Sequence, residues 1–437
     1  MKGEIALRTL GASDKFFYYT SSNRTTFSIR ISLVFRALDA EAFRLAAEDA
    51  LNRYPEYAYR PVVSNNRLFA EENRAPIVFA PEEEGRVYHY GTKDTNGYLF
   101  YFTWRDSTVT LTYYHGLTDV MGMLEFLRCL AACYGERTGF AFTEEEKREM
   151  EGLFRSAPLP VADWVTDPYN TAGDASAVPE YAYPFPAAYA IPGDYPADSE
   201  EIHEFRLSLS VSAFLRKTKE LGVSAIPFLS SLISGAVVSA YDTGETPVVA
   251  MVPANMRTLL QVNTPVNFSD GLFLPFERAD AGLPLSERCA KAKTVMRAQA
   301  AANNFRHMAG AKAGTVAGFE ADPTPISDQA RAKTQVPPPD AFRPVSYAIT
   351  YPGNMSLSKG LDRLLEDLRA SMWVRGNSIF GYSFGDRLEL VFKCRTDDNT
   401  WPESVRKAFG EIGLETELRD SGRLTGPRMY PEELMQK

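Results

Sequence analysis

The apolar positions of the N-terminal half follow a strand period and a helix period in turn. Residues 25–36 alternate polar and apolar side chains, which predicts a half-buried strand. Residues 38–56 place one apolar face at helical spacing, and Pro55 ends that run. A second helical stripe runs from Asp119 to Tyr134. Shorter strand-like runs lie between the two helices, at 77–80, 87–90, 98–104 and 107–114.

The C-terminal half repeats this mixture of strands and helices. Its apolar pattern predicts strands at 202–210, 246–257, 344–355 and 378–393. Helical spacing predicts helices at 211–221, 226–241, 285–311 and 401–413, and a helix or a helical turn at 360–373. The intervening stretch 314–340 is rich in Pro and Asp and is predicted to be a loop. Each half therefore has enough elements for one mixed α and β unit.

Residues 156–200 separate these two halves. The stretch is rich in Pro, Ala, Tyr and Asp and shows no sustained period. Because its aromatic side chains favour burial, we predict an ordered crossing segment rather than a flexible linker. The sequence thus predicts an α+β protein with an N-terminal lobe at 1–155, a crossing segment at 156–200 and a C-terminal lobe at 201–437.

Charge and cysteine usage narrow the range of functions. The chain has 437 residues and a formal charge of −9, which argues against nucleic-acid binding because that needs basic patches to neutralise phosphates. The four cysteines, Cys129, Cys133, Cys289 and Cys394, form no CxxC pair. We expect reduced thiols packed in a core and no metal site.

Two stretches indicate whether the chain is expected to be secreted or to span a membrane. The first twenty residues contain no apolar signal-peptide segment. The most apolar predicted helix, at 226–241, is short for a bilayer and carries four serines. We therefore expect a cytoplasmic protein with no membrane span.

A histidine and an aspartate lie where a predicted strand meets a predicted helix, in "TYYHGLTDVMGML" at 112–124. Histidine is the side chain best suited to take a proton near neutral pH, and the end of a strand holds it rigidly. His115 is therefore a candidate general base. Asp119 is a candidate for organising the loop, as a helix cap or as the partner of an arginine. An HxxxD string also arises by chance, so the motif alone leaves a plain strand-to-helix turn open. The other histidines, at 89, 203 and 307, are predicted to be structural or at the surface.

The stretch "LTYYHGLTDVMGMLEFLRCLAACY" resembles the active-site segment of the chloramphenicol acetyltransferase-like superfamily. That superfamily includes alcohol O-acetyltransferases and the condensation domains of nonribosomal peptide synthetases, and its members carry an HxxxDG motif. "VPANMRTLLQVNTPVNFSDGLFLPF" (252–276) resembles the family's buried strand, arginine-containing turn and Asn-Phe pair. "VSYAITYPG" (345–353) resembles a serine-containing strand that faces the active-site tunnel.

The resemblance implies two similar lobes with a central tunnel between them. A CoA or pantetheine thioester, the latter carried by an acyl carrier protein, enters one side as co-substrate, and a small-molecule acceptor enters the other. By the same resemblance, His115 is expected to act as general base on a hydroxyl, with an amine as second choice, and no cofactor is expected to be bound permanently. Asp119 holds the loop with Arg257 as a candidate partner, Ser346 is a candidate oxyanion donor and Asn267 a candidate for fixing the loop between the lobes. Plain structural roles stay open for Arg257, Ser346 and Asn267.

One position departs from the family pattern, because the glycine after the motif aspartate is Val120. A single histidine precedes the spacer, with Tyr114 beside it, which favours the alcohol acetyltransferase branch. Val120 supports an alternative in which the chain is a catalytically inactive, condensation-like binding or scaffold protein. A metal-dependent hydrolase using His115 and Asp119 as ligands is a further alternative, although the sequence offers no other convincing ligands.

Overall fold

The computed structural model describes residues 7–21, 27–159, 167–181, 184, 187–195, 201–326, 328–329, 345–374 and 376–429. Parts of four predicted stretches, 25–36, 156–200, 314–340 and 344–355, lie outside the described residues. Strands and helices are numbered below along the described chain.

A five-stranded sheet carries the HxxxD stretch at the end of one of its central strands. The strands lie in the order β12 (Leu365–Trp373), β2 (Ser28–Phe35), β7 (Thr108–Tyr114), β6 (Phe100–Arg105) and β5 (Phe79–Pro81). Every second side chain of β2 is buried, as the alternating pattern predicts for a half-buried strand. The predicted strands at 25–36, 98–104 and 107–114 are thereby confirmed. The predicted strand at 87–90 is wrong, since only an isolated bridge from Tyr90 to Met429 forms there.

A seven-stranded sheet carries most of the C-terminal half. Its order is β10 (Ser269–Phe276), β9 (Val248–Asn255), β11 (Tyr347–Asn354), β13 (Ser378–Phe384), β14 (Arg387–Cys394), β8 (Glu201–Ser210) and β15 (Glu417–Thr425). One face of this sheet packs on its own helices, and the other joins the core of the N-terminal half through Phe380, Tyr382 and Val391. A small third sheet contains β1 (Leu7–Thr9), β4 (Arg67–Glu72) and β3 (Tyr59–Ser64).

The helices cover the sheets and join their ends. The first group is α1 (Ala12–Thr20), α2 (Ala40–Arg53), α3 (Val120–Arg137), α4 (Glu144–Met150) and α5 (Pro168–Ala172). The second group is α6 (Val211–Glu220), α7 (Ala225–Ala240), α8 (Met256–Leu260), α9 (Leu285–Gln299), α10 (Ala302–Ala321), α11 (Lys359–Asp362) and α12 (Thr400–Glu411). The single helix predicted at 285–311 is therefore two helices, and α10 extends into the stretch predicted as a loop at 314–340.

The helix or helical turn predicted at 360–373 is confirmed only as a short turn at its start and is wrong over the rest of its length. Only α11 is helical, and the chain then becomes β12, which pairs antiparallel with β2 so that Leu368 lies opposite Leu33. A strand from the last fifth of the chain thus completes the N-terminal sheet. The division into lobes at 1–155 and 201–437 stays a prediction, and β12 belongs by sequence to the second range but lies in the sheet of the first.

Helix lengths bear on a membrane span. Among the described helices none alone is both long and apolar enough to cross a bilayer, and only α6 and α7 together, bent by 93°, reach the required length and apolarity.

Candidate active site

His115 directly follows β7, where the strand end fixes its backbone. Its amide donates to the carbonyl of Phe27 at 2.8 Å. The residue is half-buried, and the Phe17 ring of α1 packs against the imidazole with 4.8 Å between ring centroids. The strand end and the Phe17 ring therefore hold the imidazole in place.

Hydrogen bonding sets which imidazole nitrogen carries the proton. Nδ1 of His115 lies 3.1 Å from the carbonyl oxygen of Thr118, which can only accept. The neutral ring therefore has its hydrogen on Nδ1, and the lone pair is on Nε2. The side-chain nitrogen of Asn267 lies 3.3 Å from Nδ1 and donates to the carbonyl of His115 at 3.1 Å, so the Nδ1 hydrogen is directed at Thr118. The ring is thus fixed in the tautomer that a general base requires.

Burial keeps this imidazole neutral. Desolvation lowers the pKa of His115 below its ordinary value of 6.5, and the ammonium of Lys312 lowers it further. The Thr118 carbonyl and the Asp119 carboxylate act in the opposite direction without reversing the shift. Near neutral pH the side chain is therefore in the proton-accepting state.

Asp119 joins helix α3 to the loop that follows β9. One carboxylate oxygen caps the helix by accepting from the amides of Met121 and Gly122, each at 3.1 Å. The other accepts from Nη1 of Arg257 at 2.6 Å and from the amide of Phe268 at 3.1 Å. Both oxygens face donors other than His115, so the carboxylate organises the loop and does not orient the imidazole directly.

Arg257 extends the same junction into the loop at 264–268. Its Nε donates to the carbonyl of Thr264 at 2.9 Å, and its Nη2 donates to that of Val266 at 2.5 Å. Asn267 lies in this loop, is fully buried and reaches back to His115. The structure therefore brings together four of the predicted site residues, namely His115, Asp119, Arg257 and Asn267.

Ser346 lies apart from this cluster. Its hydroxyl accepts from the amide of Val249 at 2.9 Å, and its own amide donates to the Val249 carbonyl. Val249 is near the start of β9, whereas Asn255 and Arg257 lie at its end, about 20 Å away at the usual rise per residue. Ser346 therefore joins two strands at the far end of the sheet, and an oxyanion-donor role finds no support in this placement.

Val120, the residue in place of the motif glycine, is the first residue of α3 and is buried. The position that needs a glycine here is Gly122. A Cβ on Gly122 would lie 2.2 Å from Oγ1 of Thr118 and 2.5 Å from the carbonyl oxygen of Pro265. The Thr118 hydroxyl donates to that same carbonyl at 2.6 Å, so the loop at 264–268 rests on the helix at this glycine.

Alanine at Gly122 is expected to lower the free energy of unfolding by about 1–3 kcal/mol, because the added methyl displaces the backbone of Pro265. Denaturant unfolding measures this loss. The matched control is Gly318→Ala, an exposed position in α10 where a methyl group would meet open space and where alanine favours the helix. Equal stability of Gly122→Ala and the parent would contradict the close packing at this turn.

Several residues of the site gave no signal in the sequence. Lys312 of α10 and Tyr169 of α5 both contact the carbonyl of Ser269, just after Asn267. Phe17 of α1 covers His115. These side chains come from separate parts of the chain and belong to no short motif, so only the fold brings them together.

The remaining predicted chemistry can be compared with this geometry. Cys129, Cys133, Cys289 and Cys394 are free and buried. Within the described ranges, no group of three or more His, Cys, Asp or Glu side chains could hold a metal ion. Since both oxygens of Asp119 accept from N–H groups, the pair His115 and Asp119 offers little to a cation.

Comparison with known proteins adds solved structures only. No protein-family model and no curated protein match the chain. TRI101 of F. sporotrichioides, complexed with coenzyme A and T-2, is 14% identical over 94% of this chain and 99% of its own, with a TM-score of 0.59. The epimerization domain from the third module of tyrocidine synthetase B is 11% identical over 93% and 96%, with a TM-score of 0.62. Polyketide synthase associated protein 5 from Mycobacterium tuberculosis is 13% identical over 94% and 98%, with a TM-score of 0.57.

Proposed function

We propose that this chain, which has the condensation-type fold of the CoA-dependent acyltransferases, transfers an acyl group from a CoA or pantetheine thioester to a hydroxyl acceptor. The resemblance seen in the sequence is confirmed at the level of the fold. The observation that carries the proposal is the geometry at His115, whose Nδ1 lies 3.1 Å from the Thr118 carbonyl oxygen, so that Nε2 is the nitrogen left to accept a proton. A fixed neutral imidazole at a strand end is what a general base needs.

The proposed reaction uses His115 in both directions of proton transfer. Nε2 removes the proton of the acceptor hydroxyl as its oxygen attacks the thioester carbonyl carbon, which forms a tetrahedral intermediate. The intermediate expels the thiolate, and the imidazolium returns the proton to the leaving sulfur. The products are an ester and a free thiol, and no acyl-enzyme forms.

The donor class is proposed from the structural neighbours and from chemistry. TRI101 binds coenzyme A, and a starter condensation domain of rhizomide synthetase was solved with C8-CoA. For this chain we propose an acyl-CoA or acyl-pantetheine as co-substrate, with an acyl carrier protein as the source of the latter. The tunnel between the lobes and a cytoplasmic location are part of the same proposal.

The experiment is a screen for thiol release. Purified protein is incubated with acetyl-, octanoyl- and palmitoyl-CoA, each with and without a panel of alcohols, and free thiol is measured over time. We expect thiol release that depends on both the protein and an alcohol, with the ester formed in equal amount. Release without an acceptor would indicate a thioesterase instead.

The binding or scaffold alternative rests on Val120, and the same protein samples test it. Equilibrium dialysis of the acyl-CoA donors measures binding independently of turnover. Binding of a donor without thiol release for any alcohol or amine in the panel would favour the scaffold and contradict the proposed transfer.

A further inference from the structure

A buried lysine lies behind the loop that holds His115. Lys312 projects from α10, and its ammonium has three polar neighbours at 3.2 Å, which are the Ser269 carbonyl, the Tyr169 hydroxyl and an Asp270 carboxylate oxygen. An ammonium has three hydrogens, so these neighbours use all of its donors. The side chain of Lys312 is only 11% exposed. Such a group does not bind substrate through a spare donor, and its role lies in what it holds.

The group that Lys312 holds is the start of β10. The Ser269 carbonyl accepts from Lys312 and also from the Tyr169 hydroxyl, the latter at 2.6 Å. The Ser269 hydroxyl donates to Oδ1 of Asn267 at 2.9 Å, and the Asn267 amide donates to the His115 carbonyl at 3.1 Å. Hydrogen bonds to the carbonyl of Ser269 and from its hydroxyl therefore connect Lys312, through Asn267, to the backbone of the proposed base.

Lys312 also contacts the helix that covers the imidazole. Its ammonium lies 5.0 Å from the centroid of the Phe16 ring on α1, and the adjacent Phe17 packs on His115. An ion pair between Lys15 and Glu320, at 2.8 Å, joins α1 to α10 a second time. Lys312 thus stabilises both the loop that carries Asn267 and helix α1, and each of these contacts His115.

We propose that Lys312 is a positioning residue for His115, which it orients through Ser269 and Asn267 and to which it presents a positive charge. This assignment rests on the proposed function, in which His115 is the general base. The charge disfavours protonation of the imidazole, and the hydrogen bonds limit its movement relative to the acceptor.

The charged and titratable groups around His115 come from every element packed on it. Asp119 at the start of α3 and Lys312 of α10 act on the imidazole directly, and their partners are Arg257 of α8, Asp270 of β10 and Tyr169 of α5. Helix α1, whose Phe17 packs on the imidazole, also carries Asp14 and Lys15. Burial raises the pKa of Tyr169 to about 12, so that this phenol stays neutral and donates. Asp119 is paired with Arg257 and Lys15 with Glu320, and Lys312 and Asp270 form a further ion pair in this region.

The test follows the titration of His115 by NMR in protein labelled at histidine, with the His115 signal assigned from a His115→Ala sample. Lys312→Met is expected to raise the pKa of His115 by about 0.5 unit or more, since a cation is lost and Asp270 is left unpaired. The double variant K312M/D270N should shift less, and Lys312→Arg should keep the parent value. With turnover, kcat of Lys312→Met is expected to fall about tenfold or more, with a smaller change in KM.

Two further variants separate positioning from a merely structural role. Ser269→Ala removes the hydroxyl that orients Asn267, leaves the ion pair intact and is expected to lower kcat in the same direction. Lys291→Met, which removes the ion pair between Lys291 of α9 and Asp280 of the preceding turn, is the matched control and should leave the His115 titration unchanged. Loss of thermal stability in Lys312→Met without any change in the His115 titration or in kcat would overturn the proposal, as would parent-like kcat in Ser269→Ala. If Lys312→Met shifts the His115 titration but His115→Ala is fully active, the proposed function is overturned. The positioning of His115 by Lys312 would still hold.

Discussion

Replacement of His115 by alanine is expected to lower the rate of acyl transfer by about 10²–10⁴-fold while changing the free energy of unfolding little. The rate falls because the variant lacks Nε2, the atom proposed to remove the proton of the acceptor hydroxyl. Stability changes little because the ring is half-buried and has one hydrogen bond, to the Thr118 carbonyl. Thiol release under saturating substrates measures the first quantity, and urea unfolding measures the second.

A second histidine of this chain provides the matched control. His307 also places Nδ1 near a backbone carbonyl, that of Ala177 at 3.0 Å, but it lies outside the cluster around Asn267. His307→Ala should therefore keep parent-like turnover. Full activity of His115→Ala would contradict the role of His115 as base. A large loss of stability in His115→Ala with unchanged turnover per folded molecule would make it a structural residue.

The pH dependence of the parent protein extends the same test. Because burial lowers the pKa of His115 in the folded protein, the imidazole becomes protonated only when the pH falls below 6.5. The acid limb of kcat/KM should therefore have its midpoint below that value. The sign is the same for stability, since the neutral folded form is favoured and this contribution is lost as the pH falls through the folded-state pKa. An acid limb above 6.5 would contradict this assignment.

The local apolar pattern predicts an element correctly where its own preference agrees with the pairing and packing of the whole fold. The alternation in β2 and the apolar stripe of α3 agree with the fold, because each apolar face packs in the core, whereas β7 alternates in sequence but is buried on both faces. The stretch at 360–373 has helical spacing of its leucines but forms β12, since pairing with β2 completes a sheet that would otherwise end there. Pairing partners more than 300 residues apart give no signal in a local window.

The residues of the site divide in the same way into those that a short stretch of sequence indicates and those that only the fold brings together. Two short stretches whose spacing resembles a known family contain His115, Asp119, Arg257 and Asn267. The sequence alone therefore predicts these four as site residues. Lys312 and Tyr169 occupy an Ala-rich helix and the crossing segment, where neither residue type nor spacing suggests chemistry. A loose resemblance of one strand makes Ser346 a candidate. Its distance from the other site residues depends on which end of that strand faces the loops.

Replacement of Arg257 by methionine is expected to lower the free energy of unfolding by about 3–5 kcal/mol and to reduce acyl transfer as well. The side chains of Arg257 and Asp119 are 15% and 10% exposed, so the change leaves a buried carboxylate without its cation. The carbonyls of Thr264 and Val266 also lose a donor. Because the same loop carries Asn267, the backbone of His115 loses a restraint.

The combination of effects distinguishes Arg257 from His115. His115→Ala should affect turnover alone, whereas Arg257→Met should affect both quantities, since the Asp119 and Arg257 pair holds the two stretches of the site together. Arg278, paired with Asp242 at 3.0 Å on the surface, is the matched control, and Arg278→Met should change neither quantity appreciably. A parent-like unfolding midpoint for Arg257→Met would show that the capping amides of α3 suffice for Asp119. The HxxxD spacing would then be explained by the helix cap alone.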